Sequence, residues 1–201
     1  TYPSMAGTSG PRDFIELPSQ LLEQWASEPE VLKSFAKHYE TGESIPDELI
    51  EKILKASKFN QGFINTEYLA ASLLDMDWHT ISYTDPLKDS NEFEKVSLEK
   101  IGLIDEIAPR YRSTYFAHIF SGGYSSGYYS YVHAAVLDSD GFEAFKEAGD
   151  VFDPELSTKL RKTIYEKGAT EEAMDLFVNF RGRKPIIAPL LKVRGLDGSS
   201  G

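Results

Sequence analysis

The fold of this chain is decided around the segment RDFIELPSQLLEQW, residues 12–25. Its apolar side chains recur at helical spacing: Phe14, Leu17, Leu21, Leu22 and Trp25. Such a stripe predicts an amphipathic helix, with Asp13 placed to accept hydrogen bonds as its N-cap. Pro18 falls early enough in this helix to be tolerated, because the first turn needs no backbone donor there.

Glu16 stands out within this segment because apolar residues flank it on both sides. A carboxylate in such a position is costly to bury unless a cation, a hydrogen-bond donor or a metal ion compensates its charge. The alternative is a charge in the first helical turn that faces water and is stabilised by the helix dipole. The residues of this segment alone favour that second interpretation.

The remaining apolar pattern is helical almost throughout, so the sequence predicts an all-α protein. No run alternates convincingly with period two, and no repeat of fixed length is present. Further helices are predicted to start near Ser27, Ser44, Asn60, Asn91, Asp153 and Thr170. The helix from Ser27 is expected to end at Gly42. The helix after Ser44 should bury Leu49, Ile50, Ile53 and Leu54.

Asp75, Asp77 and His79 within the longest predicted helix, residues 60–83, are of the residue types that form metal-binding clusters. We discount them as metal ligands, because a spacing of two residues places side chains on diverging sides of a helix.

The composition is that of a globular protein with one sizeable core. Of its 201 residues, 41% are hydrophobic and 26% charged, and the formal net charge is -11. Nucleic-acid-binding surfaces are basic, so this charge argues against such a partner. There is no run of about 20 apolar residues to cross a membrane. The absence of cysteine fits a cytoplasmic location and is also compatible with a periplasmic or secreted one.

A second informative stretch is YRSTYFAHIFSGGYSSGYYSY, residues 111–131. The Gly122-Gly123 pair permits backbone conformations closed to other residues, which favours a mobile loop or the close approach of a ligand. Tyr124, Tyr128 and Tyr131 follow at the spacing of one helical face, and neutral phenols can donate to a developing oxyanion. The alternatives are an ordinary turn and a tyrosine stripe buried in the core.

The segment RDFIELPSQ, residues 12–20, resembles the zinc-ligand segment of the thimet oligopeptidase, oligopeptidase A and peptidyl-dipeptidase family. The resemblance implies that Glu16 is the third zinc ligand, which follows the two histidines of an upstream H-E-x-x-H helix. That motif is absent here, because none of the four histidines has another four positions away: His38, His79, His118 and His133. The chain therefore resembles the C-terminal portion of such a peptidase, and the missing N-terminal part would supply the other ligands.

The segment FAHIFSGGY, residues 116–124, with the tyrosines that follow it, is similar to the substrate-binding loop of the same family. By this resemblance, His118 and Tyr124 contact the substrate backbone beside Gly122 and Gly123. Tyr131 stabilises the tetrahedral intermediate, so Tyr131, Tyr124 and His118 are the candidate catalytic residues. Tyr128 is a candidate for the same wall. Arg112 is assigned either to a terminal carboxylate of the peptide or to a structural salt bridge.

Further matches at residues 60–63, 74–76 and 181–182 extend the resemblance over nearly the whole chain. They imply that residues 1–197 are the multi-helix C-terminal part of a neurolysin-like zincin catalytic domain. The Gly- and Ser-rich composition of residues 198–201 predicts a disordered tail. The implied activity is Zn²⁺-dependent hydrolysis of short peptides, with peptidyl-dipeptidase specificity preferred over internal cleavage. The 201 residues alone are expected to be inactive, because one carboxylate cannot hold zinc tightly.

Without that N-terminal part, we expect self-association through Phe14, Ile15, Tyr124 and Tyr131. The alternative function is a stand-alone helical module whose tyrosine face binds peptides without catalysis.

Overall fold

The computed structural model describes residues 2–6 and 8–198, and within them it confirms the all-α class. The α-helices are α1 Leu17–Trp25, α2 Pro29–Phe35, α3 Asp47–Ala56, α4 Gln61–His79, α5 Ser90–Lys100, α6 Ala117–Phe120, α7 Ser130–Ala148, α8 Pro154–Leu160, α9 Ala173–Arg181 and α10 Ala188–Val193. Short 3₁₀ turns cover Pro3–Met5 and Ser113–Tyr115, and a π-helical turn covers Arg161–Tyr165. Lys37 and Ser44 form an isolated antiparallel bridge.

Not every predicted N-cap residue marks the start of its helix. The first helix begins at Leu17 and not after Asp13, because the amides of Phe14 and Ile15 both donate to the Pro11 carbonyl and close a turn first. By contrast, Asp153 caps α8 as predicted, since its Oδ1 accepts from the amide of Leu156 at 2.7 Å.

Other predicted boundaries are wrong as well. The second helix ends at Phe35 and not at Gly42, and its N-cap is Glu28. Ser44 does not cap α3, because its hydroxyl donates to the carbonyl of Lys33 and Pro46 takes the N-cap position. The longest predicted helix ends at His79 and not near residue 83, and the N-cap of α9 is Glu172 and not Thr170.

The described part of the chain divides into two compact units. The first comprises the described residues of 1–61 and 134–201, and the second comprises residues 62–133. In the first unit, the Trp25 ring packs edge-on against Phe142 and Phe145, with ring centres 4.6 and 4.9 Å apart. The buried residues of this core are Phe14, Leu17, Leu21, Leu137, Phe142, Ala144, Phe145, Val151, Leu160, Ile164, Leu176, Phe177 and Phe180.

Two predictions about exposure are wrong within the first unit. Phe14 joins the core and is 8% exposed, so its ring is not available for the predicted self-association. On α3 the predicted buried stripe is reduced to Ile50, while Leu49, Ile53 and Leu54 remain exposed. Amphipathic spacing defines a face, but it does not guarantee that another element covers that face.

The second unit has a smaller core that is unusually rich in phenols. Ala71, Phe116, Ile119 and Tyr128 are buried, and the rings of Tyr68, Tyr111 and Tyr131 pack around them. Within residues 2–6 and 8–198, no helix has the length and apolar character needed to span a bilayer.

Candidate functional site

Glu16 lies at the N-cap position of α1 in the first unit. Its neighbours Phe14 and Leu17 are buried and fix the backbone there, while Glu16 itself is half-buried. The Ser19 hydroxyl lies 3.0 Å from the Glu16 carbonyl oxygen and 3.4 Å from its Oε2. A carboxylate at this end of a helix is favoured by the helix dipole.

The Gly122-Gly123 pair lies in the exposed loop between α6 and α7, in the second unit. A Cβ added to Gly122 would lie 2.8 Å from the carbonyl oxygen of His118, so a side chain at this position would collide with backbone. Gly123 adopts φ +78°, in the left-handed region that favours glycine. Both glycines are therefore required by the path of this loop.

His118 and Tyr131 are joined across the loop by a hydrogen bond of 2.8 Å between Nε2 and the phenolic oxygen. His118 lies on α6 and Tyr131 lies in the first turn of α7, and both side chains are half-buried. The bond has two forms: a protonated Nε2 donates to the phenolic oxygen, or the phenol donates to a bare Nε2. In the first form, the phenol keeps its own hydrogen for another acceptor.

Tyr124 completes this group by contacting both members of the pair. Its ring stacks on Tyr131, with centres 5.3 Å apart and planes inclined by 13°. It meets the ring of His118 edge-on, with centres 4.6 Å apart. The structure thus brings together the three residues that the sequence predicted as catalytic, and it holds them on the loop and the two helices that flank it.

The prediction that Tyr124, Tyr128 and Tyr131 share one helical face is wrong in its local structure. Residues 125–129 form successive turns, and α7 begins only at Ser130. The three rings are nevertheless neighbours, because the turns fold Tyr128 back to within 5.5 Å of Tyr131 between ring centres. Tertiary packing, and not helical periodicity, creates the tyrosine cluster.

Tyr128 is the buried member of this cluster. It is 2% exposed and stacks on Tyr68 with ring centres 5.3 Å apart. Burial raises its pKa well above the usual range, and the neighbouring Tyr68 and Tyr111 reinforce the effect. A buried phenol that remains neutral packs the wall, so direct contact between Tyr128 and a ligand is not favoured.

Arg112 forms an ion pair with Glu94 of α5, through its Nε. Glu94 is 2% exposed, and its second carboxylate oxygen accepts from the amide of Ser113 at 2.6 Å. Of the two roles considered for Arg112, the structure places it in the salt bridge. A buried carboxylate needs such a partner, and removing the guanidinium would leave it poorly compensated.

Asp75 is the residue of this unit whose place the sequence did not reveal. It is fully buried on α4, and its carboxylate accepts from the amides of Ser126 and Tyr128, at 3.0 and 2.9 Å. His79 Nδ1 lies 2.7 Å from the same carboxylate. The signal was present, because Asp75 and His79 are four residues apart and share a helix face. Asp77, as expected, diverges from them and binds Ser97 and Lys100.

The described residues contain no group of three or more His, Asp or Glu side chains that is placed to hold a metal ion. Protein zinc sites take at least three protein ligands. Glu16 by itself therefore does not make a zinc site within the part of the chain that the structure describes.

Comparison with known proteins identifies relatives over nearly all of this chain. A model of Peptidase family M3 matches residues 1–196. Dipeptidyl carboxypeptidase of Escherichia coli strain K12 is 42% identical over 197 residues, which is 98% of this chain and 29% of that protein. Oligopeptidase A of the same organism is 38% identical over 200 residues, 96% of this chain and 28% of that protein. Saccharolysin of Saccharomyces cerevisiae is 32% identical over 192 residues, 94% of this chain and 26% of that protein.

Proposed function

The chain belongs to peptidase family M3. On that premise we propose that its Gly-rich loop, residues 121–129 between α6 and α7, and its tyrosine cluster form the substrate-binding wall of a peptidase active site. The observation that carries the proposal is the 2.8 Å hydrogen bond between His118 and Tyr131, with Tyr124 stacked beside it. The chain spans 29% of the length of the dipeptidyl carboxypeptidase it matches. The activity proposed is therefore that of a longer gene product in which these residues take part.

In this proposal Tyr131 is the donor toward the oxygen of the scissile carbonyl. His118, with a hydrogen on Nε2, donates to the phenolic oxygen of Tyr131 and so directs the phenolic hydrogen toward the substrate. As negative charge develops on the substrate oxygen, a fixed donor stabilises it more than it stabilises the neutral carbonyl. Tyr124 holds the ring of Tyr131 and contacts the peptide backbone, while Gly122 and Gly123 allow that backbone to approach closely.

We assign Glu16 as one zinc ligand and propose that two imidazole ligands come from outside these 201 residues. The assignment is supported by a half-buried carboxylate whose backbone is fixed by the buried Phe14 and Leu17. Because the described residues hold no complete set of ligands, the 201-residue chain by itself is expected neither to bind zinc tightly nor to cleave peptides. Chelator-sensitive cleavage by the purified 201 residues would contradict this expectation.

Short peptides are the proposed substrates, and release of C-terminal dipeptides is preferred over internal cleavage. The preference is supported by the higher identity to dipeptidyl carboxypeptidase, 42%, than to oligopeptidase A of the same organism, 38%. Arg112 is the candidate partner for the terminal carboxylate of the peptide, because it pairs with Glu94 through Nε and its side chain is 48% exposed. The test is the product pattern from a free hexapeptide and from its C-terminally amidated form, analysed by mass spectrometry. Internal cleavage of both at equal rates would exclude the preferred specificity.

The deciding experiment measures zinc content and peptide cleavage of the gene product that contains these residues, beside its Glu16→Ala variant. Loss of both zinc and activity is expected. Glu23→Ala is the matched control, because Glu23 is an exposed carboxylate on the same helix. Retention of zinc and full activity in Glu16→Ala would overturn the ligand assignment. It would favour instead a helical module that binds peptides on its tyrosine cluster without catalysis.

A further inference from the structure

The carboxylate of Asp75 is a buried anion whose partners are mainly loop backbone. Its Oδ1 accepts from the amide of Ser126 at 3.0 Å, and its Oδ2 accepts from the amide of Tyr128 at 2.9 Å. Asp75 has no exposed surface. A buried carboxylate is stable only where its oxygens are satisfied, and hydrogen bonds to a charged group are the stronger kind. The contact therefore ties α4 firmly to the end of the Gly-rich loop.

His79 is a further neighbour of the Asp75 carboxylate. Its Nδ1 lies 2.7 Å from Asp75 Oδ1 and 2.9 Å from the Asp75 carbonyl oxygen. Both atoms are acceptors when the carboxyl is ionised, so Nδ1 carries the hydrogen. That hydrogen is bonded to the carbonyl oxygen and lies beside Oδ1, while each carboxylate oxygen accepts from one loop amide.

The loop backbone is strained at the point where Asp75 holds it. Ser126 has φ +54°, in the left-handed region that a residue with a side chain rarely occupies. Such a conformation is costly and persists only where the surroundings determine it. The hydrogen bond from the Ser126 amide to Asp75 is a contact that does so.

Two further hydrogen bonds hold the loop by contacts of its own residues. The Ser125 hydroxyl donates to the carbonyl of Ile119 at 2.5 Å, and the Gly127 amide donates to the carbonyl of Tyr124 at 2.8 Å. Tyr124 therefore lies between two fixed points, one at Ile119 and one at the amides bound by Asp75. Its stacking on Tyr131 depends on both.

We propose that Asp75 is a positioning residue that holds the Gly-rich loop so that Tyr124, Tyr131 and His118 keep their arrangement. This inference rests on the proposed function insofar as it concerns catalysis, but its structural part stands on the contacts of Asp75 alone. Asp75 touches no substrate in this scheme. It acts through the backbone of Ser126 and Tyr128.

The test is hydrogen exchange of individual backbone amides, followed by NMR in wild-type chain and in Asp75→Asn. An asparagine offers one acceptor oxygen and one NH₂ group, which cannot accept. Because the His79 Nδ1 hydrogen lies beside the Oδ1 position, an NH₂ group is disfavoured there. The asparagine oxygen is therefore expected to take the Oδ1 position and to leave NH₂ facing the Tyr128 amide. Exchange at Tyr128 should then be about 10- to 100-fold faster, the effect of losing a hydrogen bond to a charged group.

Asp77→Asn is the matched control, since Asp77 is a carboxylate on the same helix that binds Ser97 and Lys100. It should leave exchange at Tyr128 unchanged. The ring resonances of Tyr124 and Tyr131 should move in Asp75→Asn and stay in place in Asp77→Asn. Equal exchange at Tyr128 in all three proteins would overturn the proposal. So would exchange of the wild-type Ser126 and Tyr128 amides at unstructured-peptide rates, a result that requires no variant to fold.

Kinetics of the longer gene product separate this inference from the proposed function. In Asp75→Asn we expect kcat for a quenched fluorescent peptide to fall by at least about tenfold with a smaller change in KM, because geometry in the transition state suffers most. Unchanged kcat and KM beside faster exchange at Tyr128 would overturn the positioning role. Absence of peptidase activity in the wild-type gene product would overturn the proposed function, and the exchange data would still decide whether Asp75 holds the loop.

Discussion

Each of the two compact units contains an aspartate with no exposed surface, but the two carboxylates have opposite kinds of partner. In the first unit, Asp140 lies between guanidinium groups, with Arg183 Nη2 at 2.5 Å and Arg181 Nε at 3.2 Å. In the second unit, the Asp75 carboxylate accepts from two backbone amides of a loop and lies 2.7 Å from a histidine nitrogen.

The difference indicates what each carboxylate does. The cations around Asp140 come from residues 181 and 183, and the Ile186 amide donates to it as well, at 3.1 Å. The ion pairs thus hold the end of α9 and the segment after it against α7, and their effect is on stability. Asp75 instead fixes a loop path, so its effect should fall on local geometry and on the proposed chemistry. The following predictions separate these two roles.

The largest effect on stability is expected for Asp140→Asn. It leaves Arg181, whose side chain is 8% exposed, beside an uncharged group. Breaking a buried ion pair from one side costs about 3 to 5 kcal/mol, and we expect a loss of this size in the free energy of unfolding. Chemical denaturation of the 201-residue chain measures it.

Glu147→Gln is the matched control for Asp140. Glu147 also binds Arg181, at 2.6 Å, but its side chain is 55% exposed. Hydrogen bonding to Arg181 lowers the pKa of Glu147, yet solvent screens such a pair and the expected loss is below about 1 kcal/mol. Equal losses of unfolding free energy in Asp140→Asn and Glu147→Gln would mean that the buried carboxylate contributes no more to stability than the exposed one.

Tyr131→Phe should affect turnover and leave stability nearly unchanged. Removing one donor from an oxyanion site lowers kcat by about 10²- to 10³-fold. The measurement is steady-state cleavage of a quenched peptide by the longer gene product, with unfolding followed in parallel. Tyr115→Phe serves as the control, because Tyr115 is an exposed phenol of the same unit. A kcat within twofold of wild type in Tyr131→Phe would contradict the role proposed for this phenol.

Asp138 gives the first unit a pH-dependent stability. Burial raises the pKa of Asp138 from 3.8 to about 6, against the opposing hydrogen bonds from Gln24 and Ser139 and the charge of Arg194. Because the folded state binds this proton more tightly than the unfolded state, the stabilisation is full below about pH 4. It is lost as the pH rises through about 6.

The corresponding variant is Asp138→Asn, measured by denaturation at several pH values. Between pH 4 and 7, wild type should lose about 2 to 3 kcal/mol of unfolding free energy relative to this variant. Two parallel stability curves over that range would show that Asp138 has an ordinary pKa. The Asp138 Oδ1 accepts from Gln24 at 2.6 Å, and asparagine keeps this acceptor.

The smallest effect is expected for Lys52→Gln on α3. Lys52 pairs with Glu48 one turn away, but the side chains are 64% and 75% exposed. An exposed pair at this spacing contributes about 0.3 to 0.5 kcal/mol. Thermal unfolding should therefore shift only slightly, and addition of salt should abolish the difference. A loss above about 1 kcal/mol in the free energy of unfolding would mean that solvent exposure does not predict how much each of these ion pairs contributes to stability.

Much of the fold could be read from the sequence because local pattern and final packing agree. The spacing of Leu17, Leu21 and Trp25 identified a helix whose face is part of the first core. Asp153 followed by Pro154 marked a helix start correctly. Prediction failed at Leu49 and Ile53, where an amphipathic face remained exposed. Periodicity is a property of one segment, whereas burial requires a second segment to cover it.

The candidate site was predictable in its residues but not in its arrangement. Resemblance selected His118, Tyr124 and Tyr131, and they do lie together, although not on one helical face. Burial of Tyr128 and a structural salt bridge for Arg112 were open alternatives. The sequence could neither select them nor identify Glu94 as the partner, because both depend on contacts between distant parts of the second unit.

The sequence by itself determined the helical class, the glycine pair and the identity of the chemical groups, since these follow from side-chain type and local spacing. Only the tertiary structure decided that Asp75 meets the amides of Ser126 and Tyr128, more than 50 residues further along the chain. Those amides are donors that every residue except proline possesses, so no side-chain pattern marks them. The physical reason is that a backbone donor becomes a specific partner only where the fold brings a buried acceptor to it.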